Sequence, residues 1–166
     1  VKALSNLDVE ASIKWPNDII VHNKKICGIL TELSAEMERV NYVVIGIGIN
    51  IKTIDFPDEI KEKATSLYKE GYKLSRVDIV RQFCIEFEKL YKGYILDGNK
   101  QDTLELCRKY SAIIGKQVYV IKNNKRELVK CIDINENGNL IVKEKNGEIQ
   151  EIMSGEVSIR GVKGYV

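Results

Sequence analysis

The sequence predicts an α+β protein: a mixed or antiparallel sheet with helices packed on it, followed by a small separate β-barrel. Three observations predict it. Apolar residues recur with period two from Ala11 to Ile51, with a helical period between Lys61 and Ser111, and with period two again from Gly115 to the end. The length, 166 residues, suffices for one well-filled core with a small satellite. A composition of 44% hydrophobic and 30% charged residues, with modest Gly and Pro, belongs to a folded chain and excludes disordered, collagenous and coiled-coil architectures.

Each element has its own local signal. Ala11 to Trp15, Ile19 to His22 and Ile26 to Leu33 read as strands, separated by the turns Pro16-Asn17-Asp18 and Asn23-Lys24-Lys25; Tyr42 to Ile51 is a fourth strand after a charged connection. Such short links require antiparallel neighbours, since parallel ones need long crossovers. Pro16 lacks an N–H and restricts the residue before it, so the chain cannot be helical there. Ser75 and Asp78 have the spacing of a capping box and open a long amphipathic helix with Ile79, Val80, Phe83, Phe87, Leu90, Tyr91 and Tyr94 on one face. That aromatic face is expected to pack on the sheet. Asp97-Gly98-Asn99 ends the helix, and a shorter one is expected from Asp102 to Tyr110. The barrel strands are Gln117 to Ile121, Glu127 to Ile134, Leu140 to Lys143, Ile149 to Ile152 and Val157 to Arg160, with hairpin signals at Asn137-Gly138 and Asn146-Gly147. The shift in pattern near Ile113 to Gly115 divides the chain into residues 1–112 and 113–166.

Charge and cysteine content narrow the function classes. Lys and Arg number 26 against 24 Asp and Glu and are interleaved with them, which leaves no basic stripe for a nucleic-acid backbone. No apolar run approaches the roughly 20 residues that span a bilayer, and no leader pattern opens the chain, so a cytoplasmic protein without DNA or membrane contact is expected. Cys27, Cys84, Cys107 and Cys131 are widely spaced, with His22 the lone histidine; this disfavours a zinc site or disulfide framework, and the cysteines are expected as buried thiols. His22, among polar neighbours, is expected to be exposed.

The residues able to carry chemistry gather in the first stretch: Lys14, Asn17, Asp18, Lys24, Lys25 and Asn50 at strand ends and turns. Lysine suits a phosphate or carboxylate as a mobile point charge, Asp18 could hold Mg²⁺, and Asn17 could donate or accept beside it. Turns are rich in these residue types anyway. Gly46-Ile47-Gly48 would let a flat ring or phosphate approach the backbone, although no third glycine or following helix makes it a dinucleotide fingerprint or a P-loop.

The order of three segments is more specific. Lys14-Trp15-Pro16-Asn17-Asp18, then Lys25-Ile26-Cys27-Gly28-Ile29-Leu30 with Glu32, then Gly46-Ile47-Gly48-Ile49-Asn50, together resemble the biotin protein ligase family. The tail Ser154-Gly155-Glu156-Val157-Ser158-Ile159-Arg160-Gly161 is similar to the end of that family's SH3-like domain, so the resemblance covers essentially the whole chain. It implies a catalytic fold of the class II aminoacyl-tRNA synthetase and biotin ligase kind and an SH3-like β-barrel. The activity implied is ATP- and Mg²⁺-dependent conversion of biotin to biotinyl-5′-AMP, then transfer to a lysine of the biotin carboxyl carrier protein of acetyl-CoA carboxylase or a related carboxylase. It leaves room for a homodimer.

By the same resemblance, Lys25 stands beside the biotin carboxylate and the phosphate and Gly28 along the biotin ring. Lys14, Asn17 and Asp18 belong to the phosphate and metal side, with Asp18 as the Mg²⁺ candidate. Gly46, Gly48 and Asn50 form the adenosine wall, and Arg160 faces the catalytic side from the terminal domain. Trp15 is expected as a packing anchor. The family's Gly/Arg-rich loop, its serine/threonine segment for the biotin ureido group and its DNA-binding helix-turn-helix have no counterpart in this sequence. The chain is therefore expected to be the C-terminal portion of a ligase, unable to adenylate biotin unaided. A lipoate or octanoate ligase or transferase, or a non-catalytic module that docks a carrier or a second copy, are the competing readings.

Overall fold

The structure is a computed structural model that describes residues 1–36, 39–122, 125–155, 157–162 and 164–166. A short helix α1 (Lys2–Ser5) leads into a four-stranded antiparallel sheet: β1 (Ser12–Lys14), β2 (Asp18–Val21), β3 (Lys24–Glu36) and β4 (Arg39–Ile49), in that spatial order. Helices α2 (Arg76–Asp97) and α3 (Gln101–Lys109) follow. A five-stranded sheet of β5 (Gln117–Lys122), β6 (Lys125–Ile134), β7 (Leu140–Lys143), β8 (Ile149–Ile152) and β9 (Ser158–Gly161) completes the chain. Its order is β8-β7-β6-β5-β9, all antiparallel. No pairing joins β8 to β9 among the described residues, so the closed barrel expected from sequence is instead an open sheet.

Two apolar clusters divide the interior. One lies on a single face of the first sheet, where Ile19, Val21, Ile26 and Cys27 meet Leu4, Val9, Leu67 and Ile79. The other joins the two sheets: Trp15 and Ile20 pack with Ile113, Val118, Val129, Cys131, Leu140, Val142, Ile159 and Tyr165. Trp15 is an anchor in both senses of its chemistry, since its ring is buried and its Nε1 donates to the Gly138 carbonyl at 3.0 Å. Arg108 of α3 reinforces the junction, donating to Asp133 Oδ1 at 2.8 Å and to the Ile134 carbonyl. No helix among the described residues is long and apolar enough to cross a membrane.

Several expectations need correction. The β2–β3 turn is His22-Asn23, both at positive φ, which puts Lys24 and Lys25 inside β3 rather than in the turn. The stretch from Lys61 is not helical until Arg76; the preceding turns bury Thr65, Ser66 and Leu67. Ser75 does cap α2, accepting from the Asp78 N–H at 3.1 Å. The aromatic face of α2 does not pack on the sheet: Phe83, Phe87 and Tyr91 stack on one another with centroids 5.5 and 5.7 Å apart and stay exposed, and the helix buries only Ile79 and Glu86. Cys27 and Cys131 are buried as expected, whereas Cys84 is exposed and Cys107 half-buried. The charged connection between β3 and β4 falls partly on residues 37 and 38, outside the described residues.

These assignments separate two truncations of similar size. Leu140→Ala, at a fully buried position, should cost about 2–5 kcal/mol. Phe87→Ala, on a 40% exposed ring, should cost under about 1 kcal/mol. Urea unfolding of both variants checks the contrast.

Candidate functional site

The register of the first sheet sets the site. Lys14 pairs with Asp18, Asp18 with Gly28, and Gly28 with Gly48. Directly opposed residues point to the same face, so these four form one row across β1 to β4: ammonium, carboxylate, then two positions without side chains. The neighbouring row, Ile13, Ile19, Cys27 and Ile49, points the other way into the first apolar cluster.

Lys25 would not belong to this face by simple alternation, because it lies three residues before Gly28. A β-bulge changes that. Ile19 pairs with Cys27 but Ile20 pairs with Lys25, leaving Ile26 as the extra residue. Lys25 thereby joins Ile20, Asp18 and Gly28 on the same face. The bulge is held on both sides: Ile26 is fully buried and its carbonyl accepts from the Asn50 N–H at 2.7 Å, while Lys25 N–H donates to the Lys63 carbonyl and Lys25 C=O accepts from Thr65 N–H. The Lys25 Nζ then sits 2.5 Å from Asp18 Oδ1. Gly28 makes room for it, since a β-carbon there would lie 3.0 Å from that nitrogen.

Asp18 is the centre of the cluster. Its other oxygen accepts from the Tyr165 hydroxyl and lies 3.6 Å from Lys14 Nζ. Burial would raise the Asp18 pKa, but the hydrogen bonds from Lys25 and Tyr165 and the two ammonium charges outweigh it and hold the carboxyl below its ordinary value. Lys14 is only 3% exposed. Desolvation, aided by the Arg160 and Lys25 charges and opposed by Asp18, pushes its pKa down to about 8. Its Nζ lies 3.8 Å from the centroid of the Tyr165 ring, a cation–π contact. Burial and the bond to Asp18 raise the phenol's own pKa.

Over this floor lies an open cleft of about 580 Å³. Of the residues expected from sequence, Lys25, Gly28, Gly48, Asn50 and Arg160 line it. Lys14 and Asp18 lie beneath, behind Tyr165 and Lys25. Gly46 is on the same face one pair further out, opposite Leu30. Asn17 does not join the cluster: its amide donates to the Ile29 carbonyl at 2.8 Å and ties the β1–β2 turn to β3. The Asn50 amide donates to the Thr65 carbonyl. Tyr165 and the Lys63–Thr65 segment were not among the expected site residues. Gly161 and Gly164, both just before Tyr165, are the sequence hint of a tail folded back on itself.

The donor set does not fit a divalent cation. Both Asp18 oxygens are engaged by cationic or hydroxyl donors, and among the described residues no group of three or more His, Cys, Asp or Glu side chains could hold a metal. What the arrangement suits is an anion at the Lys25 and Arg160 side of the cleft, with a flat group over Gly28 and Gly48.

The molecule is thus an α+β protein in which a glycine-floored antiparallel sheet edged by cations meets a second, all-β unit. Comparison with known proteins makes it particular. Residues 1–50 match the biotin/lipoate A/B protein ligase family and residues 113–160 match the biotin protein ligase C-terminal domain. The bifunctional ligase/repressor BirA of Bacillus subtilis is 38% identical over 154 residues, covering 91% of this chain and 47% of that protein. The BirA of Escherichia coli is 26% identical over 152 residues with the same coverage of each. A biotin protein ligase from Aquifex aeolicus, solved in complex with biotin and ATP, superposes with a TM-score of 0.81 at 28% identity, over 96% of this chain and 66% of that one. The chain belongs to the biotin protein ligase family. It spans about half the length of the curated relatives it matches.

Because the Asp18 carboxyl is held below its ordinary value, its contribution to stability is present above the ordinary carboxylate pKa and is lost as pH falls through the depressed one. Urea unfolding at about pH 5 and about pH 3 should show a steep loss for the wild type. Asp18→Asn should flatten that acid limb while lowering stability near neutrality, because Lys14 is left buried without its counter-charge.

Proposed function

We propose that the protein is a biotin protein ligase acting in two steps. In the first, a carboxylate oxygen of biotin attacks the α-phosphorus of ATP; the new C–O–P linkage forms, the bond to the β-phosphate bridge breaks, and pyrophosphate leaves with the electron pair. In the second, the amine of a carrier-protein lysine attacks the biotinyl carbonyl, AMP leaves, and the amine gives up a proton. The carrier is the biotin carboxyl carrier protein of acetyl-CoA carboxylase or a related carboxylase. The observation that carries this reading is Lys25, swung by the Ile26 bulge onto the glycine-floored face beside Asp18.

The first step brings a carboxylate against a phosphate, and fixed positive charge offsets both that repulsion and the charge that grows on the phosphoryl oxygens. Lys25, exposed at its tip and anchored by Asp18, is placed for this role. Arg160 adds a second cation from β9. Gly28 and Gly48 leave backbone on which a flat ring can lie, and Asn50 stands at the same wall. Lys14 acts on the anion from below, as a buried charge balanced by Asp18. Residues 1–112 form the catalytic unit and 113–166 the SH3-like one, the latter contributing Arg160 and Tyr165. Relatives solved with biotin and ATP support the choice of substrates.

Calorimetry on the full-length protein with biotinyl-5′-adenylate tests the reading, with lipoyl-adenylate as the comparator. Selective binding of the biotinyl compound is expected; equal or preferential binding of the lipoyl compound overturns it in favour of a lipoate ligase relative. In the full-length protein, Lys25→Ala should lower biotin-dependent exchange of pyrophosphate into ATP by about a hundredfold or more. Tm should also fall, because Asp18 loses its shortest ionic partner. Unchanged exchange alongside that fall would show Lys25 to be structural only.

A further inference from the structure

The geometry points to Tyr165 as a positioning residue of the anion site: its hydroxyl fixes Asp18 and its ring covers Lys14, so that Lys25 is held toward the cleft, and Gly161 is the seat that delivers it. This rests on the reading of the cleft as the site for the phosphates of a nucleotide.

Asp18 has two oxygens and three donors. Lys25 takes one oxygen; Tyr165 and Lys14 share the other. Without the Tyr165 hydroxyl, that second oxygen has only Lys14, at 3.6 Å, and the carboxylate is free to rotate between the two ammoniums. Such a rotation moves the Lys25 tip, whose ionic partner among the described residues is Asp18. The ring has a separate part. Lys14 is buried, and the tyrosine face 3.8 Å from its nitrogen stands where water would otherwise enter. Arg160, 5.8 Å from the same ring, shares the cleft wall. One side chain thus touches Asp18 and Lys14 and lies near Arg160.

The tail reaches this position by folding back on β9. The Gly161 N–H points at the Tyr165 carbonyl, 3.4 Å away. A β-carbon on Gly161 would lie 2.3 Å from the Val166 carbonyl carbon and 2.7 Å from its Cα, and these are backbone atoms that cannot swing aside. Gly164, at φ +111°, makes the turn before Tyr165 in a region that side chains disfavour. A side chain at 161 therefore displaces the tail that carries Tyr165, although residue 161 itself does not line the cleft.

The test uses inorganic pyrophosphate as the probe, titrated calorimetrically into the chain, with 13Cζ-tyrosine NMR reporting the phenol of Tyr165. The Tyr165 resonance, assigned by its loss in Tyr165→Phe, should shift in Asp18→Asn and in Gly161→Val. Tyr165→Phe, which keeps the ring and removes the hydroxyl, should weaken pyrophosphate binding about tenfold, the scale of one lost charge-assisted hydrogen bond. Gly161→Val should weaken it at least as much. The double variant should bind no more weakly than the poorer single one, since both act through one contact. Thermal melts confirm that the variants fold, and Tyr165→Phe decides the matter alone if Gly161→Val does not. Binding by Tyr165→Phe within twofold of wild type, additive losses in the double variant, or no binding by the wild type would each overturn the proposal. If the pyrophosphate series behaves as expected but biotinyl-5′-adenylate is not preferred over lipoyl-adenylate, the biotin reading fails and the role of Tyr165 stands.

Discussion

The carboxylate of Asp18 is the constraint on which the rest of the site depends. It is buried, it sits at the crossing of three strands, and it meets Lys14, Lys25 and the Tyr165 hydroxyl. A buried carboxylate alone would be costly, as would a buried Lys14. Together, with a hydroxyl to complete the carboxylate's hydrogen bonding, they become tolerable, and the surplus positive charge of Lys25 is left at the cleft. Under the function proposed, that surplus is what an incoming anion would meet.

The connection between this charge cluster and the two-sheet architecture is direct. Lys14, Asp18 and Lys25 come from the first sheet, while Tyr165 and Arg160 come from the second, and the apolar cluster built from Trp15, Ile20 and the strands β5 to β9 clamps one sheet on the other. Packing energy spent at Leu140 or Ile113 therefore fixes distances at Asp18. The charges themselves add specificity of placement rather than much stability, as is usual when ions are drawn out of water.

Local chemistry was legible in the sequence; the consequences of register were not. Ser75 caps α2, the Asn137-Gly138 and Asn146-Gly147 turns join their strands, and Trp15 anchors, because each is governed by residues within a few positions or by one large apolar ring. The aromatic stripe of α2 shows the limit of periodicity: it tells which residues share a face, not whether anything covers that face. Lys25 shows a second limit. Period two assigns it to the opposite side from Gly28, and only the bulge at Ile26, stabilised by Asn50 and the Lys63–Thr65 segment, reverses that. Asn17 was expected at the site for its residue type, but its amide is consumed in bracing the turn. Tyr165 lies 147 residues from its partner Asp18, beyond the reach of any local pattern.

The bulge also explains why glycines and lysine occur together at this place. In a regular strand the position opposite Ile20 on this face would fall to residue 26, and Lys25 would turn to the other side. With Ile26 as the extra residue, Lys25 takes the position opposite Ile20 on the Gly28 face, and a β-carbon at residue 28 would lie 3.0 Å from its ammonium. Gly28 would thus serve twice under the proposed function: it gives the lysine room on its near side and leaves open backbone for a flat group across Gly48 beyond it. The two demands are met by one missing side chain, so charge and floor stay adjacent, as an acid whose carboxylate must be steered while its ring lies flat would need.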